Sequence, residues 1–367
     1  MSGSWRIGVL PGDGIGPEVT AEAIKALHAV AACGGYDFAF IHAPCGGAAL
    51  ELAGEPLPDV TVELCLKSDA VLFGAVGGPS WDGLPRELRP EQAILGLRQR
   101  LGLYANLRPV RTRPSLAGVG PLKERHAGPD VDFIIVRELT GGLYYGPKRR
   151  EALPGGGWRS TDTMVYSSEE VARIARLALR LASSRRGRLT SVDKANVLEC
   201  SRLWREVVSA EAGHNCVALE HLYVDDCAAR LVLDPARFDV IVTENTFGDI
   251  LSDLGAVLAG SLGLLPSASL GDEGPALYEP VHGSAPDIAG RGLANPVGAI
   301  LSAAMLLRHS LGLDAAASVV ESAVDRVLAA GHRTADISGG PSCSTQALGD
   351  AVAAAIADIW AEGRQLR

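Results

Sequence analysis

Short apolar runs alternate with longer helical patterns along almost the whole chain of 367 residues. The runs have the length of buried β-strands, and the longer patterns have the length of helices. This alternation predicts an α/β fold, in which helices cover a sheet. The length favours two domains over a single core. The sequence shows no repeat and no low-complexity linker, so we expect the chain to cross between the domains more than once.

One strand–turn–helix segment contains a concentrated set of acidic residues. The apolar run Phe238 to Val242 leads through a polar turn into a helix that carries Asp249 and Asp253. Four-residue spacing puts both carboxylates on one helix face, at the carboxyl end of a strand, where open α/β sheets build their sites. Two interpretations are open: a solvated acidic face, or two ligands of Mg²⁺ or Mn²⁺. Asp225, after a separate strand, offers a further carboxylate.

Three arginines at the boundaries of predicted elements indicate an anionic substrate. The net charge of −9 provides no basic surface, so nucleic-acid binding is not expected and an anion must be bound by local arginines. Arg98, Arg108 and Arg137 are the candidates. Because a guanidinium group pairs bidentately with a carboxylate, the set predicts a substrate with more than one carboxylate. Each arginine alone is equally compatible with a surface salt bridge.

Tyr144 and Lys194 are candidates for proton transfer. A lysine close to a cation and to arginines can lose its proton near neutral pH, and a tyrosine can return a proton to a carbanion or enol. A packed tyrosine and a surface lysine are the alternative interpretation. Tyr144 belongs to the segment 139–164, which is rich in Gly, Tyr, Pro and Arg and lacks a helical period. That composition indicates a protruding β-arm or, alternatively, a mobile loop.

The glycine-rich turn at residues 11–17 does not complete the dinucleotide-binding fingerprint. Gly-x-Gly-x-x-Gly is required, and Pro17 occupies the position of the third glycine. The turn is therefore either a helix cap or a cofactor-contacting loop of a non-Rossmann kind. The loop His282 to Asp287, with Asn295, has small residues that allow close approach to a flat or phosphorylated ligand. An aspartate on a ribose would select the 2′-hydroxyl.

The cysteines and the start of the chain bear on localisation. Seven cysteines are scattered without a CxxC pair, which predicts reduced thiols. We see no signal peptide and no apolar run of transmembrane length. These features predict a cytoplasmic protein.

Five motifs together resemble the isocitrate/isopropylmalate dehydrogenase family of metal-dependent decarboxylating β-hydroxyacid dehydrogenases, which also contains homoisocitrate and tartrate dehydrogenases. They are Leu10–Glu18, Val136–Gly142, Ser191–Val197, Phe247–Asp253 and Gly283–Gly290. The resemblance runs through essentially the whole chain. It implies a two-domain α/β fold of the family's own type, with a large mixed sheet flanked by helices, and not a Rossmann fold. Residues 1–104 and 261–367 would form the cofactor-binding domain. Residues 105–260 would form the dimerisation, metal and substrate domain, with an intersubunit β-arm at about 139–164.

The resemblance implies a role for each matching polar residue. The substrate carboxylates would be bound by Arg98, Arg108 and Arg137. The catalytic acid and base would be Tyr144 and Lys194. The Mg²⁺ or Mn²⁺ ligands would be Asp225, Asp249 and Asp253, of which Asp225 would also contact the substrate. In homodimers of this family Lys194 and Asp225 reach into the partner's site, so a homodimer is expected.

The resemblance also assigns the cofactor residues. The adenosine part of NAD⁺ would be bound by His282, Gly283, Ser284, Ala285, Asp287, Ile288 and Asn295. Asp287 stands at the position that favours NAD⁺. Arg291, close in sequence, weakens that argument a little.

A further set of residues matches the family's substrate-selecting pocket. Glu91, Ile94 and Leu95 match the positions that line the pocket for an isopropyl group, and Val197 matches a wall supplied by the partner subunit. An apolar wall would leave the third carboxylate of isocitrate desolvated and unpaired. Ile94 replaces the usual Leu, which conserves volume. We therefore expect NAD-dependent oxidative decarboxylation of 3-isopropylmalate to 4-methyl-2-oxopentanoate, in leucine biosynthesis.

Three alternatives to that activity are open. The chain could oxidise tartrate or another 3-alkylmalate. It could be a catalytically silent regulatory subunit of the same fold, although such a subunit has no need of the full set of Tyr, Lys, Arg and Asp residues. It could also be an acidic metal-buffering protein.

Overall fold

A computed structural model describes residues 4–120, 131–213 and 215–365. The chain forms two compact units. Unit 1 comprises Met1–Leu103, Thr112–Pro121 and Ala256–Arg367, and unit 2 comprises Tyr104–Arg111 and Leu122–Gly255. The chain therefore crosses between the units more than once. No helix in the described ranges is long and apolar enough to cross a membrane.

Unit 1 contains five strands in the order β2-β1-β3-β12-β11. Their bounds are β1 Ser4–Gly12, β2 Asp37–His42, β3 Ala70–Ala75, β11 Pro266–Leu270 and β12 Ala276–Pro280. β1 pairs in parallel with β2 and β3, β3 pairs in parallel with β12, and β11 pairs with β12 antiparallel. β3 is buried at every position, which explains its continuous apolar sequence.

Seven α-helices lie wholly within the described part of unit 1. They are α1 Gly16–Gly34, α2 Gly47–Ala53, α3 Asp59–Leu66, α4 Glu91–Arg100, α9 Val297–His309, α10 Asp314–Ala329 and α11 Thr345–Gln365. α9 packs against α1, α10, β11 and β12. Because other elements cover it on several sides, it has almost no polar face.

In the described part of unit 2, the main sheet has five strands in the order β4-β5-β10-β8-β9. Their bounds are β4 Ala105–Arg111, β5 Asp132–Glu138, β8 Arg188–Asp193, β9 Ala218–Tyr223 and β10 Val240–Thr243. Its helices are α5 Ser168–Ser183, α6 Glu199–Ala212, α7 Val224–Leu233 and α8 Asn245–Ala259. β4 and β5 are antiparallel, whereas β5, β10, β8 and β9 are parallel.

The parallel register aligns the carboxyl ends of three strands in unit 2. Thr243, the last residue of β10, pairs with Arg137 on one side and Val192 on the other. The segments that follow these strands therefore start from the same sheet edge. This alignment brings Arg137, the start of α8 and the segment before Lys194 to one end of the unit.

Segment 139–164 contains an antiparallel hairpin of β6 Lys148–Ala152 and β7 Trp158–Asp162. Three successive glycines with positive φ, at 155–157, form its turn, where a side chain would be strained. The side chains of both strands are largely exposed. Arg150 stacks over the Trp158 ring at 4.7 Å.

The predicted α/β class, with helices flanking a mixed sheet, is confirmed. Antiparallel pairs in both units, and strand orders unlike 3-2-1-4-5-6, separate the fold from a Rossmann domain. The predicted cofactor loop from His282 follows β12, in which Tyr278 pairs with Ala268 and Leu72.

Candidate active site

Arg108 and Arg137 lie on the antiparallel strands β4 and β5 and are almost completely buried, at 6% and 2% exposure. Arg108 donates from Nε to Asn106 Oδ1 at 2.7 Å and from Nη1 to Ser252 Oγ at 2.6 Å. Arg137 donates from both Nε and Nη2 to Asn245 Oδ1, at 3.0 and 2.8 Å. These contacts fix the planes of both guanidinium groups.

Asp249 and Asp253 lie one turn apart on α8, as the sequence predicts. Asp249 accepts a hydrogen bond from Arg137 Nη1, and its Oδ1 is 3.5 Å from Arg108 Nη1. Asp253 Oδ1 is 3.6 Å from the same Arg108 nitrogen. Burial raises the pKa of Asp253, Arg108 opposes that shift, and the charge of Asp249 adds to it. The carboxylates are therefore not a simple solvated face.

The donor chemistry of this pair fits a divalent cation. The side chains of Asp249 and Asp253 are 36% and 58% exposed, so oxygen atoms remain accessible. Mg²⁺ prefers one or two carboxylates, with water and substrate oxygens completing its shell.

Tyr144 joins this cluster through Asp249. Its hydroxyl donates to Asp249 Oδ2 at 2.8 Å, and its ring centroid is 5.7 Å from the Arg137 guanidinium carbon. Burial and the neighbouring Asp249 carboxylate raise the pKa of Tyr144 to about 12. The phenol is therefore neutral near neutral pH and has a proton to donate.

Lys194 and Asp225 form a separate pair in unit 2. Lys194 follows β8, its backbone N–H donates to Ser201 Oγ at 3.0 Å, and its ammonium donates to the Asp225 carboxylate. That hydrogen bond lowers the pKa of Asp225, which lies in the first turn of α7. Val197, the predicted pocket wall, is 65% exposed.

The three predicted metal ligands are not grouped within one chain. Among the residues that the structure describes, no three His, Cys, Asp or Glu side chains lie close enough together to bind a metal ion. Asp249 and Asp253 supply two carboxylates on one helix, and Asp225 pairs with Lys194 instead. A metal site completed by a second copy stays a prediction.

α4 in unit 1 carries four predicted substrate residues. Arg98 is buried and donates from Nη2 to Glu279 Oε1 at 3.0 Å. One turn earlier on the helix, Ile94 is partly buried against the hydrophobic core. Leu95 is also half-buried, whereas Glu91 is exposed. The role of these four residues in a substrate pocket stays a prediction.

The predicted cofactor loop in unit 1 has an unusual backbone. Ala285, at φ 38°, is the one non-glycine residue with positive φ in the described ranges. Such strain is concentrated at ligand-binding segments. Ile288 donates its N–H to the Ala285 carbonyl at 3.1 Å, which closes a tight turn. Asp287 lies exposed within that turn.

His282 adds an observation that points to a ligand. Its Nδ1 contacts the Gly283 carbonyl at 2.9 Å, and its Nε2 is buried without a hydrogen-bond partner among the described residues. Burial lowers the pKa of His282, so the imidazole is neutral near neutral pH. An unsatisfied buried nitrogen is costly, and a ligand with a polar group would satisfy it. The loop therefore fits a polar, flat group such as an adenosine.

The glycine turn contacts this loop directly. Ile15 N–H donates to the Ser284 carbonyl at 2.8 Å, and a Cβ on Gly14 would lie 2.0 Å from that oxygen. Glu18, in the first turn of α1, accepts from the backbone N–H of Gly292 at 3.0 Å. The sequence left two interpretations of this turn open, a helix cap or a cofactor-contacting loop. Because the turn bonds to the backbone of the predicted cofactor loop and holds it in place, it does more than cap a helix.

Asn295 is held at the start of α9. Its Oδ1 accepts from Val297 N–H at 3.1 Å, and its Nδ2 donates to Asp336 Oδ2 at 3.0 Å. The side chain is almost fully buried. A fixed amide here could present its remaining acceptor capacity to a bound ligand.

Comparisons with known proteins identify the family of this chain. The sequence model of the isocitrate/isopropylmalate dehydrogenase family matches residues 6–352. The chain belongs to this family. A 3-isopropylmalate dehydrogenase of Moorella thermoacetica is 58% identical over 335 residues, covering 91% of this chain and 93% of that protein. One from Anaeromyxobacter dehalogenans is 54% identical over 349 residues, covering 95% and 98%.

The solved structures extend the similarity to a different substrate class within the family. The crystal structure of isocitrate dehydrogenase from Methylococcus capsulatus superposes with a TM-score of 0.87 at 36% identity, covering 96% of this chain and 99% of that chain. Members of the isocitrate/isopropylmalate dehydrogenase family therefore share this fold although their names give different substrates. Substrate choice has to be argued from side chains.

Three residues that orient Arg108 and Arg137 were not identified from the sequence: Asn106, Asn245 and Ser252. Asn106 and Arg108 are two apart on one strand and so lie on the same face. Asn245 precedes Asp249 by one helical turn, and Ser252 lies on the same helix. The two-residue period of a strand and the four-residue spacing of a helix place these residues beside the arginine and the aspartates. Amide and hydroxyl side chains are nevertheless too common in strands and helices for these three to be singled out.

Proposed function

We propose that this chain catalyses the NAD⁺-dependent oxidative decarboxylation of 3-isopropylmalate to 4-methyl-2-oxopentanoate, a step of leucine biosynthesis. The observation that carries the proposal is the cluster in unit 2 formed by Arg108, Arg137, Tyr144, Asp249 and Asp253. Guanidinium groups, carboxylates and a neutral phenol in mutual contact fit a hydroxy diacid. The similarity to 3-isopropylmalate dehydrogenases over almost the full chain supports this substrate.

Binding of the substrate is assigned to arginines and to apolar side chains. Arg98, Arg108 and Arg137 bind the two carboxylates through charge-assisted hydrogen bonds. Ile94 and Leu95 accommodate the isopropyl group. A third carboxylate placed against these apolar side chains would lose its hydration without gaining a partner, and this penalty disfavours isocitrate.

Proton transfer is assigned to Lys194 and Tyr144. Lys194 accepts the proton of the C2 hydroxyl. In the structure the Lys194 side chain donates a hydrogen bond to the Asp225 carboxylate, and recruiting Asp225 to a cation would release Lys194 from that contact. Tyr144 donates its proton to the carbon that has lost CO₂, and its raised pKa keeps that proton in place until this step.

Asp249 and Asp253, with Asp225 of a second copy, would hold Mg²⁺ or Mn²⁺. The 282–288 loop and Asn295 would hold the adenosine part of NAD⁺. When bound, NAD⁺ supplies the hydride acceptor and the cation supplies Lewis-acid polarisation of substrate oxygens. Asp287 would accept a hydrogen bond from a ribose hydroxyl and repel a 2′-phosphate, which selects NAD⁺ over NADP⁺.

We also propose a cytoplasmic homodimer. Asp225 is paired with Lys194, and among the described residues it forms no metal-binding group with Asp249 and Asp253, which a site shared between two copies would explain. All seven cysteines are free thiols, as expected in a reducing compartment.

A substrate panel tests the activity. With Mn²⁺ and NAD⁺ we expect the highest kcat/KM for 3-isopropylmalate, compared with isocitrate, tartrate and other 3-alkylmalates. EDTA should abolish turnover and added Mn²⁺ should restore it, and NADP⁺ should be a poor substitute. A higher kcat/KM for tartrate would replace the proposed substrate. No turnover with any diacid would indicate a silent subunit.

A further inference from the structure

We propose that three neutral side chains determine how tightly this site binds a diacid, because they hold Arg108 and Arg137 in place without cancelling their charge. We call this set the neutral clamp; it consists of Asn106, Asn245 and Ser252. The inference rests on the proposed function, since it concerns the diacid that the two arginines bind.

The neutral clamp is completely buried. Asn106, Asn245 and Ser252 each have 0% exposure, and together they accept four hydrogen bonds from the two guanidinium groups. Their oxygen atoms satisfy N–H donors that would be costly to leave unpaired. An amide or hydroxyl oxygen does this without adding a negative charge.

Other arginines of unit 2 are oriented differently. Arg205 donates from Nε and Nη2 to the two carboxylate oxygens of buried Asp193, both at 2.8 Å. Arg185 is fixed by the carboxylates of Asp239 and Asp132. In those pairs the carboxylate orients the guanidinium and neutralises it. The neutral clamp therefore orients the guanidinium groups without neutralising them, whereas a carboxylate would do both.

Asn245 is itself held in one orientation. Its backbone N–H donates to the Tyr166 hydroxyl at 3.0 Å, and its Nδ2 donates to the Gly141 carbonyl at 3.3 Å. With the amide nitrogen committed to a carbonyl, Oδ1 faces both donors of Arg137. The orientation of Arg137 is thus set before a substrate binds.

The carboxylates that do contact the arginines have another proposed partner. Asp249 and Asp253 are the proposed cation ligands, and a bound divalent cation would compensate their charge. The cation would then weaken the attraction between these two carboxylates and the guanidinium groups. Glu244, on the turn before α8, is a further buried carboxylate, and it accepts from the backbone N–H groups of Thr246 and Phe247.

Isosteric charge substitutions test the inference. Asn245→Asp and Asn106→Asp keep an oxygen facing each arginine but add a negative charge that no cation removes. Diacid binding is titrated calorimetrically with Mn²⁺ and without NAD⁺, using 3-isopropylmalate and D-malate as probes. We expect each Asp variant to bind both probes at least about tenfold more weakly. The KM for NAD⁺ should be unchanged.

Two controls separate charge from geometry. Asn215→Asp adds the same charge at an exposed position outside the site and should bind diacids like wild type. Asn245→Ala removes the contact to Arg137 without adding charge. We expect it to lower Tm more than Asn245→Asp does, while weakening diacid binding less.

The outcomes also separate this inference from the proposed function. Wild-type affinity in the Asp variants, or equal losses of affinity in Asn245→Ala and Asn245→Asp, would overturn the role of charge. If wild type binds D-malate but not 3-isopropylmalate, the proposed substrate is wrong, and the D-malate titrations still decide the inference. If wild type binds neither probe, both proposals are overturned.

Discussion

Lys194 is held by two contacts of different kinds. The backbone N–H of Lys194 donates to Ser201 Oγ, whereas its side-chain ammonium donates to the Asp225 carboxylate. Lys194→Ala removes the proposed base and keeps the backbone contact. We expect kcat for 3-isopropylmalate to fall by about 10²–10⁴-fold, with little change in Tm because the lost ion pair is solvent-exposed. Steady-state NADH formation and thermal unfolding measure the two quantities.

The matched control is Lys67→Ala, which removes another exposed lysine–carboxylate pair, with Glu63, at the C-terminal end of α3. It should leave both kcat and Tm unchanged. Wild-type turnover in Lys194→Ala would remove Lys194 from the mechanism. A large fall in Tm would instead assign it a structural role.

The sequence predicts candidate catalytic side chains but says little about what orients them. Asp249 and Asp253 could be placed on one helix face from their spacing, and the structure confirms that placement. The partner of Arg108 could not be found in this way, because Ser252 lies 144 residues further along the chain. Such a contact depends on how β4 and α8 pack. Local spacing contains no information about that packing.

α5 begins with a capping box. Ser167 Oγ accepts from Glu170 N–H at 3.3 Å, and the Glu170 carboxylate accepts from Ser167 N–H at 2.7 Å. Ser167→Ala should lower the free energy of unfolding by about 1 kcal/mol. Urea unfolding measures this change, and kcat should not change. Ser168→Ala, one residue into the helix, is the control, and an equal loss there would contradict the cap.

Two helices gave no usable signal in the sequence, for different reasons. α2, Gly47–Ala53, has only seven residues and starts after Gly46 without a side-chain cap. α7 follows β9 immediately, so that Tyr223 ends the strand and also precedes the helix. No glycine, proline or other turn residue separates the two elements, so the sequence does not mark where the strand ends and the helix begins. Short helices and abrupt junctions are defined by tertiary packing.

The fold of this chain is common to family members that are named for different substrates. Its backbone is similar to that of an isocitrate dehydrogenase at 36% identity, while its sequence is 58% identical to a 3-isopropylmalate dehydrogenase. The predicted family and fold class are therefore confirmed. The predicted roles of individual residues stay predictions, because a common backbone can hold different substrates.

A shared active site makes a prediction about mixed dimers. Lys194→Ala and Asp253→Asn should each inactivate a homodimer, because each removes one component from every site. In a heterodimer of the two variants, one site would combine the intact Asp253 of one copy with the intact Lys194 of the other. Random mixing after denaturation and refolding should restore about a quarter of wild-type activity. Refolding each variant alone is the control. If Lys194 serves the site of its own chain, the mixture will stay inactive.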